Sequence, residues 1–196
     1  MTSVSTDQPT ASATSSWLKR YYYARFAFSA AWVAIAVIFA KSAPALAAVM
    51  LIAYPAWDAV ANIVDARRSG GLSRNKSQLF NFIISILTAG AVAVALRGSM
   101  NGVLTVFGVW ACLAGLFQLV TAIRRWKDYG AQWAMVLSGA QSILAGVFML
   151  KMAQGAEPVG IANIAPYAAF GAFYFLVSAI WLTVSEARKA SLRAAG

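Results

Sequence analysis

Six apolar stretches, at about residues 23–40, 45–64, 79–96, 103–123, 131–150 and 165–184, decide most of what this chain can become. Each is close to the roughly 20 residues that carry an α-helix across a hydrocarbon core of about 30 Å. Backbone polar groups in lipid must be satisfied within the chain, so stretches of this length are read as helices rather than as strands of an open sheet. The sequence therefore predicts an all-α membrane protein of six transmembrane helices, arranged as three helix hairpins over residues 17–189. Composition agrees: 61% of residues are apolar and only 11% charged, against roughly 25% charged in an ordinary soluble domain. No stretch is left over for a separate soluble domain.

The polar remainder sets the expected orientation. Residues 1–16 hold nine Ser or Thr and no apolar periodicity, which predicts a disordered tail. Trp17, Lys19, Arg20 and Tyr21–Tyr23 follow, the mixture of amphipathic aromatics and cations that sits at headgroup level. On the six-span map, Lys19, Arg20, Arg25, Arg67, Arg68, Arg74, Lys76, Arg124, Arg125, Lys127, Arg188, Lys189 and Arg193 fall on one side, and only Lys41, Arg97 and Lys151 on the other. Over short loops such a bias places the basic side in the cytoplasm. Both termini, including a short tail at 190–196, are therefore expected in the cytoplasm.

A formal charge of +10 would suggest nucleic acid in a soluble protein, because Lys and Arg neutralise phosphates. Here the cations cap apolar runs instead of lining a basic face, so no nucleic-acid partner is expected and the bilayer is the expected environment. A homo-oligomer or another membrane protein remains open as a partner. Ala45-Leu46-Ala47 resembles a signal-peptidase site, but the apolar stretch before it is longer than the usual 7 to 15 residues of such a leader. Cys112 has no partner for an intramolecular disulfide, and the chain has no histidine. The commonest general base and the commonest transition-metal ligand are thus both missing. With no phosphate-binding glycine loop and no activated nucleophile, neither catalysis nor a cofactor is expected.

An internal repeat underlies the spans. A shift of 57 residues lays Arg67-Arg68 on Arg124-Arg125 and Ser85-Ile86-Leu87 on Ser142-Ile143-Leu144, so consecutive hairpins share a layout with a parallel repeat axis. Membrane helices associate through close approach at small residues. The stripe Ser138, Ser142 and Gly146 is the best candidate for such a seam, beside Ala111 and Gly115, Ser85, Ala89 and Ala93, and Ala27 and Ala31. Pro55 lies inside the second span, where its missing N–H leaves a carbonyl one turn back in need of another donor. The sixth span carries a bulky face of Phe170, Phe173, Tyr174, Phe175 and Trp181, for which lipid contact is the default expectation.

Asp58 is the residue singled out for function. It sits in an apolar span seven positions before Asp65, about 10 Å inward at 1.5 Å per residue. An ionised acid near a helix centre costs about 2.5 to 3.5 kcal/mol on insertion scales, so it should face the bundle, paired or protonated. Arg25, in the matching half of the first span, is its expected partner, and Asn62 lies one turn below it on the same face. Two readings stay open. The pair fixes how the first two helices dock, or it belongs to a proton or cation relay through a polar cavity lined further by Gln118 and Gln141. A tightly packed bundle would favour the first, and a cavity reaching Asp58 the second.

The stretch from Val109-Trp110 through Gly115, Gln118, Arg124-Arg125, Gly130, Trp133, Ser138-Gly139, Ser142 and Gly146 resembles the short-repeat segment of the HdeD-like family of bacterial inner-membrane proteins. The resemblance covers about residues 79–150. It implies a six-helix protein of the inner membrane, supporting envelope or acid-stress tolerance, and it carries no catalytic residues. Under the 57-residue shift, Asp58 takes the position of Gly115.

Overall fold

The computed structural model describes residues 11–39, 42–68, 70–124 and 132–194. They form α1 (Ala11–Phe39), α2 (Pro44–Arg68), α3 (Lys76–Ala95), α4 (Met100–Arg124), α5 (Gln132–Ala153) and α6 (Ala165–Ala194), with one 3-10 turn at Ile161–Asn163 before α6. Among the described residues there is no strand, and all six α-helices are long and apolar enough to cross a membrane.

The outermost helices run longer than their apolar stretches. α1 begins at Ala11, inside the segment read as tail, and α6 continues to Ala194; residues 1–10 lie outside the described residues. Glu, Ala, Arg, Lys and Leu dominate the end of α6 and are strong helix formers. An ion pair from Lys19 to Glu186 joins the two extensions, and the Tyr23 hydroxyl lies 3.3 Å from that of Thr183.

The helices form a ring in chain order, closed by α1 against α6. Turns at one end join α1 to α2, α3 to α4 and α5 to α6 as three hairpins. The tightest packing runs between successive hairpins, where α2 meets α3, α4 meets α5 and α6 meets α1. The α4/α5 seam shows the cause. A methyl group built on Gly146 would lie 2.6 Å from the Gly108 carbonyl oxygen, and one on Gly139 would lie 2.8 Å from that of Gly115. Two backbones approach here as closely as only glycine permits. The Ser142 hydroxyl donates to the Ala111 carbonyl at 2.9 Å within the same seam. Of the expected stripe Ser138, Ser142 and Gly146, the last two lie in this contact against Ala111 and Gly108, Gly115 meets Gly139 there, and Ser138 reaches Gln118 of α4 at 3.4 Å.

Loop chemistry fixes the helix ends. Gly71 N–H donates to the Ala66 carbonyl at 2.8 Å, and Gly70 and Gly71 have φ of 96° and 92°. This is the six-to-one bond of a Schellman cap, which needs a left-handed residue that glycine supplies without strain. Near Pro55 the donor arrives one residue from the carbonyl expected to need it: Trp32 Nε1 donates to the Met50 carbonyl at 2.8 Å, whereas Pro55 withholds its bond from Leu51.

An apolar core fills the half of the ring away from the basic loops. Trp32, Leu51, Leu104, Phe107 and Met149 are buried there with Ile161 and Ile164 from the turn before α6. That turn closes on itself: Asn163 Oδ1 accepts from Gly160 N–H at 2.7 Å.

Candidate functional site

The other half of the ring is hollow. A cavity of about 430 Å³ is lined from all six helices, running from Tyr54, Trp110 and Tyr167 at mid-height to Tyr22, Asn62, Asn81, Gln118, Ser138 and Ser178 nearer the basic loops. This volume falls within the roughly 300–1,000 Å³ of small-molecule sites. All five residues singled out from the sequence, Arg25, Asp58, Asn62, Gln118 and Gln141, border it.

Asp58 is held from three helices. Arg25 Nη2 of α1 forms an ion pair with its Oδ1, Asn62 Nδ2 one turn along α2 donates to its Oδ2 at 2.9 Å, and Ser85 Oγ of α3 donates to the same oxygen at 2.8 Å. Such charge-assisted bonds replace the water a carboxylate loses on entering the bundle. Arg25 is held in turn. Its Nη1 donates to the Tyr21 hydroxyl at 3.0 Å, and its guanidinium lies 4.2 Å from the centroid of the Phe175 ring on α6, within cation–π range. The pair thus bridges α1 and α2 beside the bond from Trp32 to Met50 and the stacking of Phe28 on Trp57.

Gln118 and Gln141 share the cavity but not this network. The Tyr174 hydroxyl donates to Gln141 Oε1 at 2.8 Å, and Ser138 Oγ donates to Gln118 Oε1 at 3.4 Å. The bulky face of α6 is therefore divided. Phe173 and Trp181 are exposed on the outer surface, whereas Tyr174 and Phe175 border the cavity and Phe170 reaches both.

Sequence reasoning missed Ser85, Tyr174, Trp110 and Tyr21 as parts of the site. For Ser85 a signal existed: it occupies the repeat position of Ser142. Trp110 Nε1 donates to Ser85 Oγ at 3.3 Å and ends the polar chain, because indole has no acceptor to pass a proton onward. Beyond it lie Phe107, Leu104 and Leu51, each at most 1% exposed. The hydrogen-bonded groups therefore lead inward from the basic side and stop at mid-height. Among the described residues no group of His, Cys, Asp and Glu could hold a metal ion.

Six apolar helices around a polar cavity define a polytopic integral membrane protein. Residues 83–151, the span of α3 to α5, match the family described as a short repeat of unknown function, DUF308, which contains HdeD-like membrane proteins. No curated protein matches the chain and no solved structure matches it.

Proposed function

We propose that this chain is a non-enzymatic carrier that binds a small polar solute in the cavity around Asp58 and moves it across a bacterial inner membrane. The observation that carries this reading is the cavity itself, polar and lined from every helix on one side, with an apolar plug on the other. A site reachable from one face and sealed toward the opposite face is what one stage of alternating access requires. The chamber lies at the end of the ring that carries the basic loops, which the positive-inside rule would put in the cytoplasm with both termini. The plug argues against a continuous proton wire, since three large apolar side chains interrupt it. Proton coupling would act instead through Asp58, whose charge Arg25 balances. Tolerance of envelope or acid stress is the physiological setting suggested by the HdeD-like resemblance alone.

Purified protein in liposomes provides the test. Proton flux is followed at two pH values across a panel of small polar solutes, for the native chain and for Asp58→Asn. Saturable, solute-dependent flux that Asp58→Asn abolishes while the variant remains folded is the expected result. If no solute produces flux, and Asp58→Asn changes only thermal stability, Arg25 and Asp58 merely dock α1 on α2.

A further inference from the structure

The ring has one open seam. α5 and α6 scarcely touch, and two polar contacts span them nearer the basic loops: the bond from Tyr174 to Gln141 at 2.8 Å and the approach of Ser142 Oγ to the Tyr167 hydroxyl at 3.4 Å. A second cavity, of about 250 Å³, lies along the same seam toward the plugged end, and its lining includes Phe148, Met149 and Pro166. Ala145 and Tyr167 border both cavities. A polar chamber and an apolar one therefore share a wall beside the bilayer, an arrangement suited to a molecule with a polar head and a hydrocarbon tail.

The unused hydrogen-bonding capacity of the larger chamber decides which head. Both oxygens of Asp58 are already occupied. What remains includes donor capacity: the amide hydrogens of Gln118 and Gln141, whose oxygens accept from Ser138 and Tyr174, and, buried behind the lining, Arg25 Nε and Trp57 Nε1, which have no partner. The Arg25 and Asp58 charges cancel, so nothing net repels an anion, and surplus donors call for an acceptor.

We propose that the α5/α6 seam admits a single-chain carboxylic acid sideways from the bilayer, placing its carboxyl group among these donors and its tail in the apolar chamber. This narrows the polar solute of the carrier proposed above to one whose polar head bears a hydrocarbon tail, and it rests on that reading. Decanoate bearing a diazirine at the chain end, added to the full chain in nanodiscs, is the probe, with peptide mapping of the crosslinks. Saturable labelling around Phe148 and Met149 is expected, competed by decanoate and not by decyltrimethylammonium. Filling the shared wall with Ala145→Trp should abolish it. Gln141→Leu, which removes a donor without adding bulk, should weaken it about tenfold, the scale of one lost hydrogen bond to a charged group. Equal labelling of the native chain and both variants, or equal competition by the cationic amphiphile, overturns the proposal. Absence of labelling alongside Asp58-dependent flux of another solute overturns it while leaving the carrier reading intact.

Discussion

Arg25 and Asp58 depend on each other more than either depends on the rest of the bundle. Their side chains are 15% and 20% exposed, and removing one partner of a buried pair leaves an uncompensated charge at a cost of about 3–5 kcal/mol. Arg25→Leu and Asp58→Leu should each lower the unfolding temperature in detergent sharply. The double variant should recover most of that loss, because no orphaned charge remains; a double variant as unstable as the sum of the singles would contradict this account. Asp58, Arg25 and Asn62 were legible in the sequence because a charge in an apolar span demands a partner, and helical spacing limits the choices. Ser85 was legible only through its repeat position, and Tyr174 was not legible as part of the site. Serine and tyrosine are tolerated at many depths in a membrane helix, and only the rotation of α3 and α6 about their axes turns these two toward Asp58 and Gln141.

At the scale of elements, the seam between α4 and α5 depends on missing side chains. Gly115→Val would drive carbon into the Gly139 carbonyl and to within 2.9 Å of the Ile143 amide nitrogen, and overpacking of this kind costs about 1–3 kcal/mol. Gly90 on α3 has nothing within 4 Å of the corresponding position, so Gly90→Ala should be neutral or stabilising by up to about 1 kcal/mol, as expected for glycine in a helix interior. Thermal unfolding of the two variants side by side checks the contrast, and equal losses would argue against close α4/α5 packing. Apolar runs near the length of the bilayer announced the six helices. Which helices pack tightly could not be read so directly. The repeat hinted at equivalent seams through Ser85 and Ser142, but the closure of α1 on α6 joins residues more than 160 positions apart, as in Lys19 and Glu186. The turn at Ile161–Asn163, which buries Ile161, lies in a stretch whose Gly and Pro residues read only as a loop.

For the molecule as a whole, the ring is asymmetric along its axis, with a polar chamber on the side of the basic loops and an apolar plug on the other. Every functional statement above depends on that asymmetry. Packing at small residues does not require it, since a bundle held only by such contacts could fill its centre throughout. The most direct measurement is thiol accessibility in sealed vesicles of known orientation, in a Cys112→Ala background. Ala114→Cys and Ser138→Cys line the chamber, and Val103→Cys lies in the plug at 0% exposure. A small membrane-impermeant thiol reagent applied to the face carrying the Arg67-Arg68 loop should modify the first two positions and leave the third untouched. Modification of Val103→Cys from the opposite face, or no modification of Ala114→Cys and Ser138→Cys from either, would contradict the account.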